Sequence, residues 1–382
     1  MKVCIVTHRV VRGDGQGRVN YEIARRLLDM GYKLILIASE IEDTLTDDPR
    51  VEWVRVDVRA YPTELLRKQV FALRNALWLR RHRQRYDILH VNGFITWFPA
   101  DVNTAHFVHS AWMRSSVHTA KIRRGPYGWY QWLYTTLNAA LERRAYHQAH
   151  EVVAVSELVR NQLTNFCRIP KACIQVVVNG VDTEEFRPDS LSRPSLGLPE
   201  QVPLALFAGD LRTPRKNLET VLAAVARVPR VHLAVLGDVE RSIYPKMAED
   251  LGILERVHFL GYRSDVARVM QAADLFLFPS RYEPCGLVIL EALASGLPVI
   301  TARTAGGAEL VTSECGFVLE DPDDVNALTR YLTYLVDNPE ARLRFGREAR
   351  DIAERNHWNR MTDEYIKIYH RVVQAKPRGV CV

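Results

Sequence analysis

Two glutamates, Glu283 and Glu291, are the residues of this chain best suited to polar chemistry on an elongated ligand. They are separated by seven residues, and Glu283 lies just before a predicted helix that carries Glu291. Ionised carboxylates accept hydrogen bonds from sugar hydroxyls, so such a pair can fix a polyol at two points. The alternative is that both are solvated charges on a helix surface, the usual state of glutamate in proteins.

The elements around this pair form a strand-helix-strand unit. An apolar run, Leu275 to Phe278, is typical of a strand buried on both faces of a parallel sheet. A polar loop then leads into a helix over 287–294 that Gly296 caps at its C-terminal end, and residues 299–301 form the next strand. Such units bind ligands at the carboxyl ends of their strands, which is where the loop with Glu283 lies.

The start of this helix is suited to a phosphate. We expect it to open near Cys285, Gly286 and Leu287. Unpaired backbone N–H groups and the positive end of the helix dipole would there point toward the ligand. Gly286 allows a ligand to approach the backbone closely. The unit therefore predicts a ligand that carries both phosphate and hydroxyl groups.

The segment SRYEPCGLVILEALASGLPVI, preceded by AADLFLFPS and followed by GGAELV, resembles the signature of retaining nucleotide-sugar glycosyltransferases of family 4. The resemblance covers essentially the whole chain and is most specific after Asn179. It implies the α/β architecture called GT-B, in which two Rossmann-like domains with parallel sheets face each other across a cleft that holds the donor. By position, Glu283 would contact the transferred sugar and Glu291 the ribose of the nucleotide.

Length and a turn motif predict two domains. A chain of 382 residues is long for one core and sufficient for two. The turn Asn-Gly-Val-Asp at 179–182, followed by a Pro- and Ser-rich segment, resembles the family's hinge. We expect an acceptor-side domain over 1–180, completed by a C-terminal helix over 358–382, and a donor-binding domain over 181–357.

A basic loop opens the second domain. Lys216 matches the family's phosphate-binding lysine, and cations here would offset the charge that grows as the nucleotide leaves. The family's usual arginine directly after the glycine is replaced by Asp210, so Arg212 or Arg215 would supply that charge.

Three further sites follow from the resemblance. Residues 257–263 resemble the family segment whose end contacts the nucleobase. Tyr262 and Arg263 lie at that end, and the alternative is that they form only a turn. Gly15 and Gly17 lie in a loop that would close against the donor phosphates, with a plain flexible turn as the alternative. The loop is not a dinucleotide fingerprint, because an arginine replaces its third glycine. His109 matches a histidine near the transferred sugar, and its catalytic role would be to orient the sugar or the acceptor.

Two segments are rich in basic and apolar residues. In residues 63–86, four apolar side chains recur at helical spacing beside many arginines: Leu66, Val70, Leu73 and Leu77. This is either a solvated surface helix or an interfacial one, whose Trp78 and apolar neighbours dip beneath anionic lipid head groups.

In residues 114–150, six side chains also follow helical spacing and are expected to be largely buried, which argues against a nucleic-acid surface: Trp129, Trp132, Leu133, Tyr134, Leu137 and Leu141. The loop over 121–126 lies near the expected acceptor side, so a lipid-linked or anionic acceptor is a hypothesis.

Composition bounds the cofactors and the location. Six scattered cysteines without paired spacing predict neither a disulfide framework nor a zinc site, and no metal-ligating Asp pair is found, so we expect no metal and no cofactor. Neither a cleavable signal nor a membrane-spanning window is recognised. We expect a cytoplasmic protein that binds no nucleic acid, with peripheral contact to the inner face of the membrane if residues 63–86 are interfacial.

The sequence thus predicts a retaining glycosyltransferase that moves a sugar from a UDP- or GDP-sugar to a hydroxyl acceptor, carbohydrate or lipid-linked, in polysaccharide, glycolipid or other glycoconjugate synthesis. Two alternatives remain. A non-catalytic nucleotide-sugar sensor would keep Lys216 and Glu291 without needing Glu283. A GT-B phosphorylase would use a phosphate acceptor and usually a lysine-bound pyridoxal cofactor, for which this chain is short.

Overall fold

The computed structural model describes residues 1–189, 192–240 and 242–375. The chain divides into two compact units, Met1–Asn179 together with the chain from Trp358 on, and Gly180–His357. The sequence placed this boundary one residue later, after Gly180. Residues 376–382, which the sequence assigned to the C-terminal helix, lie outside the described residues.

The first unit is built on a seven-stranded parallel sheet of order β5-β3-β1-β6-β7-β8-β9. Most of its strand residues are buried, as expected for apolar strands covered on both faces. The pair β2 and β4 forms a separate small sheet. The strands are β1 (Lys2–Val6), β2 (Arg9–Val10), β3 (Lys33–Ala38), β4 (Glu40–Ile41), β5 (Val51–Arg55), β6 (Ile88–Asn92), β7 (Val102–Ala105), β8 (Glu151–Ala154) and β9 (Ile174–Val176).

Seven helices connect these strands. They are α1 (Gly15–Asp29), α2 (Asp43–Thr46), α3 (Glu64–Arg81), α4 (His109–Trp112), α5 (Thr119–Ile122), α6 (Pro126–His147) and α7 (Glu157–Gln162). None of the helices in the described ranges is both long enough and apolar enough to cross a membrane.

The second unit repeats the architecture with six parallel strands of order β12-β11-β10-β13-β14-β15. Successive residues of β10 alternate between two hydrophobic clusters, Leu204 and Leu206 in one and Ala205 and Phe207 in the other, so the sheet has a core on each face. The strands are β10 (Leu204–Ala208), β11 (His232–Leu236), β12 (Val257–Gly261), β13 (Leu275–Phe278), β14 (Val299–Ala302) and β15 (Gly316–Leu319). The helices are α8 (Leu218–Ala226), α9 (Tyr244–Asp250), α10 (Val266–Ala272), α11 (Leu287–Ala294), α12 (Val325–Asp337) and α13 (Pro339–Glu354).

The last helix, α14 (Trp358–Ala375), returns to the first unit. It is held by a buried polar network as well as by apolar packing. The hydroxyl of Tyr369 lies 2.7 Å from Nδ1 of His90, and Nε2 of His90 lies 2.8 Å from the hydroxyl of Thr104. Burial beside His106 lowers the pKa of His90 to about 3, so the ring in this network is neutral.

The structure corrects the expected loop at Gly15 and Gly17. Both glycines lie in the first turn of α1, where Oδ2 of Asp14 caps the helix by accepting from the backbone N–H of Gly17 at 3.2 Å. A β-carbon at Gly17 would lie 3.0 Å from that same oxygen and 3.1 Å from the carbonyl oxygen of Val11. The glycine here allows a close helix entry rather than a flexible loop.

The expected burial was wrong for four of the six α6 side chains. Trp129 is 72% exposed, and Trp132, Leu133 and Leu137 are also exposed. The helix instead turns a small and polar face inward, formed by Thr135, Asn138, Ala139 and Glu142. Helical spacing identifies a stripe but not the side of the helix that meets the core.

Helix α3 also exposes much of the apolar stripe that the sequence identified. Its buried residues are Phe71, Ala72, Asn75 and Leu79, whereas Leu66, Leu73 and Leu77 are exposed. Trp78, which would dip beneath lipid head groups if the helix were interfacial, is half-buried against the core and stacks on His82 at 4.3 Å.

Candidate active site

The strand-loop-helix segment around Glu283 has the bounds that the sequence predicted. Strand β13 ends at Phe278 and α11 begins at Leu287, with Gly286 as its N-terminal cap at φ +75°, a left-handed conformation that glycine adopts without strain. The Oε1 atom of Glu283 accepts from the backbone N–H of Gly286 at 3.2 Å. The carboxylate is therefore held at the N-terminus of α11.

Lys216 is the partner of Glu283. Its Nζ donates to Oε2 of Glu283, and the Arg215 guanidinium lies 4.0 Å from the same oxygen. The Lys216 and Glu283 side chains are only 12% and 14% exposed. Gly209 makes room for the lysine, because a β-carbon there would lie 3.0 Å from Lys216 Cγ.

The two charges shift each other's titration. Burial lowers the pKa of Lys216, against the opposing effect of Glu283. Burial alone would raise the pKa of Glu283, but Lys216 and Arg215 outweigh it and hold that pKa below its usual value. The carboxylate is thus ionised at neutral pH and already fixed by donors on both oxygens.

A group of residues that the sequence analysis missed connects the loop after β13 to the start of α8 and to the loop before α12. The guanidinium of Arg281 pairs with Glu219 at 2.5 Å and with Asp323 at 2.7 Å. The buried side chain of Asn217 donates to the carbonyl oxygens of Pro279 and Pro322, at 3.1 and 2.7 Å. No spacing in the sequence connects these positions, so no local pattern could reveal them.

The structure shows that Arg212 and Arg215, the two candidates for the missing arginine, have different partners. Nε of Arg212 lies 2.9 Å from Oδ1 of Asp210, and the Arg212 side chain is 68% exposed. Asp210, which stands where the family has arginine, therefore pairs with Arg212. Arg215 is the arginine that lies beside Lys216 and Glu283.

A cavity of about 510 Å³ lies at the carboxyl ends of β10, β11 and β12 and is lined by Gly209, Asp210, Arg212, Asp238, Tyr262 and Arg263, among others. Tyr262 is 82% exposed, and the Arg263 guanidinium is held by Asp265 at 2.7 Å. Glu291 lies on the second turn of α11, one turn after Leu287, and both are partly buried, as is Cys285.

In the first unit, His109 begins α4 and is clamped by Glu142. Nδ1 of His109 lies 2.6 Å from Oε1 of Glu142, and the backbone N–H of His109 donates to the other oxygen at 2.9 Å. Both side chains line a cavity of about 230 Å³ with Lys68, His8 and other residues. The sequence analysis missed Glu142, since nothing local links it to a residue 33 positions earlier.

His106 is hydrogen-bonded within the first unit. Its Nε2 lies 2.9 Å from Oδ1 of Asn92. Burial lowers the pKa of His106 to about 4, so the ring is neutral at physiological pH.

Two parallel α/β units, one with a fixed carboxylate and a lysine at a helix N-terminus, define the class of GT-B glycosyltransferases. The family model described as Glycosyl transferases group 1 matches residues 189–352, and the model described as Glycosyltransferase Family 4 matches residues 13–185. The chain belongs to glycosyltransferase family 4.

Named relatives agree with this family. The chain is 31% identical to a D-inositol 3-phosphate glycosyltransferase of Mycobacterium marinum, over 75% of this chain and 64% of that one. It is 30% identical to the enzyme of the same name from Saccharomonospora viridis, over 76% of this chain and 71% of that one. The match thus spans slightly less than two thirds of the M. marinum protein.

Solved structures share the fold. Sucrose-phosphate synthase from Thermosynechococcus elongatus superposes with a TM-score of 0.80 at 20% identity, covering 98% of this chain and 100% of the other. HepE of Anabaena, solved in complex with UDP-glucose, superposes with a TM-score of 0.71 at 20% identity, covering 96% of this chain and 99% of the other.

Proposed function

We propose that this glycosyltransferase moves a sugar, with retention of anomeric configuration, from a UDP- or GDP-sugar to a hydroxyl acceptor. The observation that carries the proposal is the Lys216–Glu283 pair at the N-terminus of α11, which offers a cation and a carboxylate side by side. The UDP-glucose bound by HepE and the family membership support a nucleotide sugar as the donor.

The donor diphosphate would bind between the cations and the helix. Lys216 and Arg215 carry positive charge, and α11 adds backbone N–H groups at Cys285, Gly286 and Leu287. These groups offset the negative charge that accumulates on the departing nucleotide. Because the protein supplies this charge, we propose that neither a metal nor another cofactor takes part.

The sugar and the nucleoside would be held on either side of the diphosphate. A carboxylate has about four acceptor positions, and Glu283 uses one for Gly286 and one for Lys216, which leaves others for sugar hydroxyls. Glu291, one turn further into α11, would bind the ribose. Tyr262 and Arg263 would contact the base in the cavity of about 510 Å³.

The acceptor would bind in the cavity of the first unit. Glu142 engages Nδ1 of His109, which leaves Nε2 of the ring for a hydroxyl of the sugar or the acceptor. His109 would orient that hydroxyl, and the fixed ring would reduce the entropy lost on reaching the reactive geometry.

The test is a panel of UDP-, GDP- and ADP-sugars, scored by thermal shift and by release of free nucleotide, with and without EDTA. A donor at about 100 times its dissociation constant should add about 2.7 kcal/mol to the free energy of unfolding. The shift and the release should disappear in Lys216→Ala and Glu291→Ala, and EDTA should change neither.

Lys246→Ala is the matched control, since this exposed lysine lies in the same unit on α9. A Lys216→Ala variant that responds like the wild type would refute the donor site. Once an acceptor is found, the anomeric coupling constant of the product by NMR decides between retention and inversion.

A further inference from the structure

The first unit carries an exposed apolar surface whose residues line neither of the two cavities proposed for the donor and the acceptor. Half of the eighteen large apolar side chains that are exposed in the described ranges lie on α3, α5 and α6. Six of them define what we call the α3/α6 surface: Leu66, Leu73, Leu77, Trp129, Trp132 and Leu133. Exposed apolar side chains gathered in one region mark an interaction site more often than chance exposure.

The six residues follow one face of each helix. Leu73 and Leu77 lie seven and eleven residues after Leu66 on α3, and the α6 members lie at positions 129, 132 and 133. Both sets of spacings place the side chains on one face of their helix. The helices are in contact, because the Tyr130 hydroxyl accepts from the backbone N–H of Leu65 at 3.2 Å. Nζ of Lys68 also lies 5.0 Å from the ring centroid of Tyr134. The apolar residues of α3 and α6 therefore lie on neighbouring helices that contact each other.

The same region concentrates positive charge. Residues 63–86 and 114–150 hold thirteen Lys or Arg and two Glu, a net charge of +11, whereas the whole chain carries +6. The rest of the chain is therefore net negative. Of the two acids, Glu142 is buried against His109. Arg123 and Arg124 are exposed and line a groove of about 520 Å³ together with Trp129 and Trp132.

We propose that the α3/α6 surface docks the protein onto a lipid bilayer with anionic head groups. Tryptophan prefers the interface between head groups and acyl chains, where its ring is partly apolar and partly polar. The leucines would enter the acyl boundary, and Arg123 and Arg124 would pair with lipid phosphates.

The charge decides between a bilayer and a second copy of the chain. A symmetric dimer through this surface would place two regions of the same strong positive charge against each other, which costs free energy. An anionic bilayer offers both an apolar layer and the opposite charge. This docking goes beyond the sugar transfer and does not depend on the donor or the acceptor.

The experiment is flotation of the full chain with vesicles of phosphatidylcholine alone, or mixed with phosphatidylglycerol in equal amounts. We expect binding to the anionic vesicles that weakens with added salt, because the head-group attraction is screened. Arg123→Gln with Arg124→Gln should weaken it about 25-fold, since each basic residue near an anionic surface contributes roughly a factor of five. Trp129→Ala with Trp132→Ala should weaken it about tenfold or more.

Matched controls lie in the second unit. Arg268→Gln with Arg330→Gln removes two exposed arginines, and Leu343→Ala removes a side chain that is 65% exposed. All variants change exposed residues, so circular dichroism should show unchanged folding, and the controls should float like the wild type. Failure of the wild type to float overturns the proposal, as does equal flotation of the α3/α6 variants and the controls. If the wild type forms a dimer and does not float, and the tryptophan variant is a monomer, the partner is a second copy of the chain instead.

Discussion

At the scale of single residues, Arg215 and Arg212 provide a matched pair of cations. Arg215 lies beside Lys216 and Glu283, whereas the charge of Arg212 is already compensated by Asp210. We expect Arg215→Gln to raise the dissociation constant of the donor about tenfold or more, because a charge-assisted hydrogen bond contributes about 1.5–3 kcal/mol. Arg212→Gln should change it by less than about threefold, as for an exposed ion pair. Isothermal titration with the donor found by thermal shift measures both, and equal effects would contradict the assignment.

Glu142 allows a test of His109 positioning that is separate from donor binding. Because Glu142 holds both the ring and the backbone N–H of His109, Glu142→Ala should let the ring rotate and lower kcat. A loss of about 10–100-fold is expected for a misplaced orienting group. The donor dissociation constant should stay unchanged, since Glu142 lies in the first unit, whereas the Lys216–Glu283 pair that we propose holds the diphosphate and the sugar lies in the second. Glu157→Gln, on the neighbouring α7, serves as the control, and an unchanged kcat in Glu142→Ala would refute the positioning role.

At the scale of elements, the entry into α1 depends on the absence of a side chain at Gly17. A β-carbon there meets the capping carboxylate of Asp14 and the carbonyl of Val11, whereas one at Gly13 meets nothing within 4 Å. We expect Gly17→Ala to lower the free energy of unfolding by about 1–3 kcal/mol through overpacking. Gly13→Ala should leave it nearly unchanged. Urea unfolding compares the two, and equal stabilities would show that the helix entry relaxes freely.

At the scale of the whole molecule, histidines with lowered pKa values predict that the first unit loses stability in acid. Burial lowers the pKa of His90 to about 3 and of His8 and His106 to about 4, whereas a histidine in the unfolded chain titrates near 6.5. Below that value the unfolded chain binds more protons than the folded one, so protonation favours unfolding. The free energy of unfolding should fall by about 1.4 kcal/mol per pH unit for each histidine as the pH drops from about 6.5 toward 4.

Tryptophan fluorescence is the appropriate probe for this prediction, because all seven tryptophans lie in the first unit. Urea unfolding at pH 7, 6 and 5 should show the decline, and His106→Gln should reduce its slope. His150→Gln changes an exposed histidine and should keep the full slope. A free energy of unfolding that is constant between pH 7 and 5 would contradict the buried, neutral state of these rings.

Much of the donor unit was predictable because its signals are local. The apolar run of β13, the glycine before α11 and the positions of Glu283 and Glu291 depend on near neighbours in the chain, and the bounds 275–278 and 287–294 were predicted correctly. The family followed from the same motif.

Only the tertiary structure decided which residues meet across long separations. Lys216 and Glu283 are 67 positions apart, and their pairing depends on two loops that Arg281 and Asn217 hold together. The choice of Arg215 over Arg212 follows from the same contact. The exposed face of α6 was mispredicted because a helical stripe has the same period whether it faces a core or the solvent. Sequence period determines the element, whereas packing against the rest of the chain determines which side is buried.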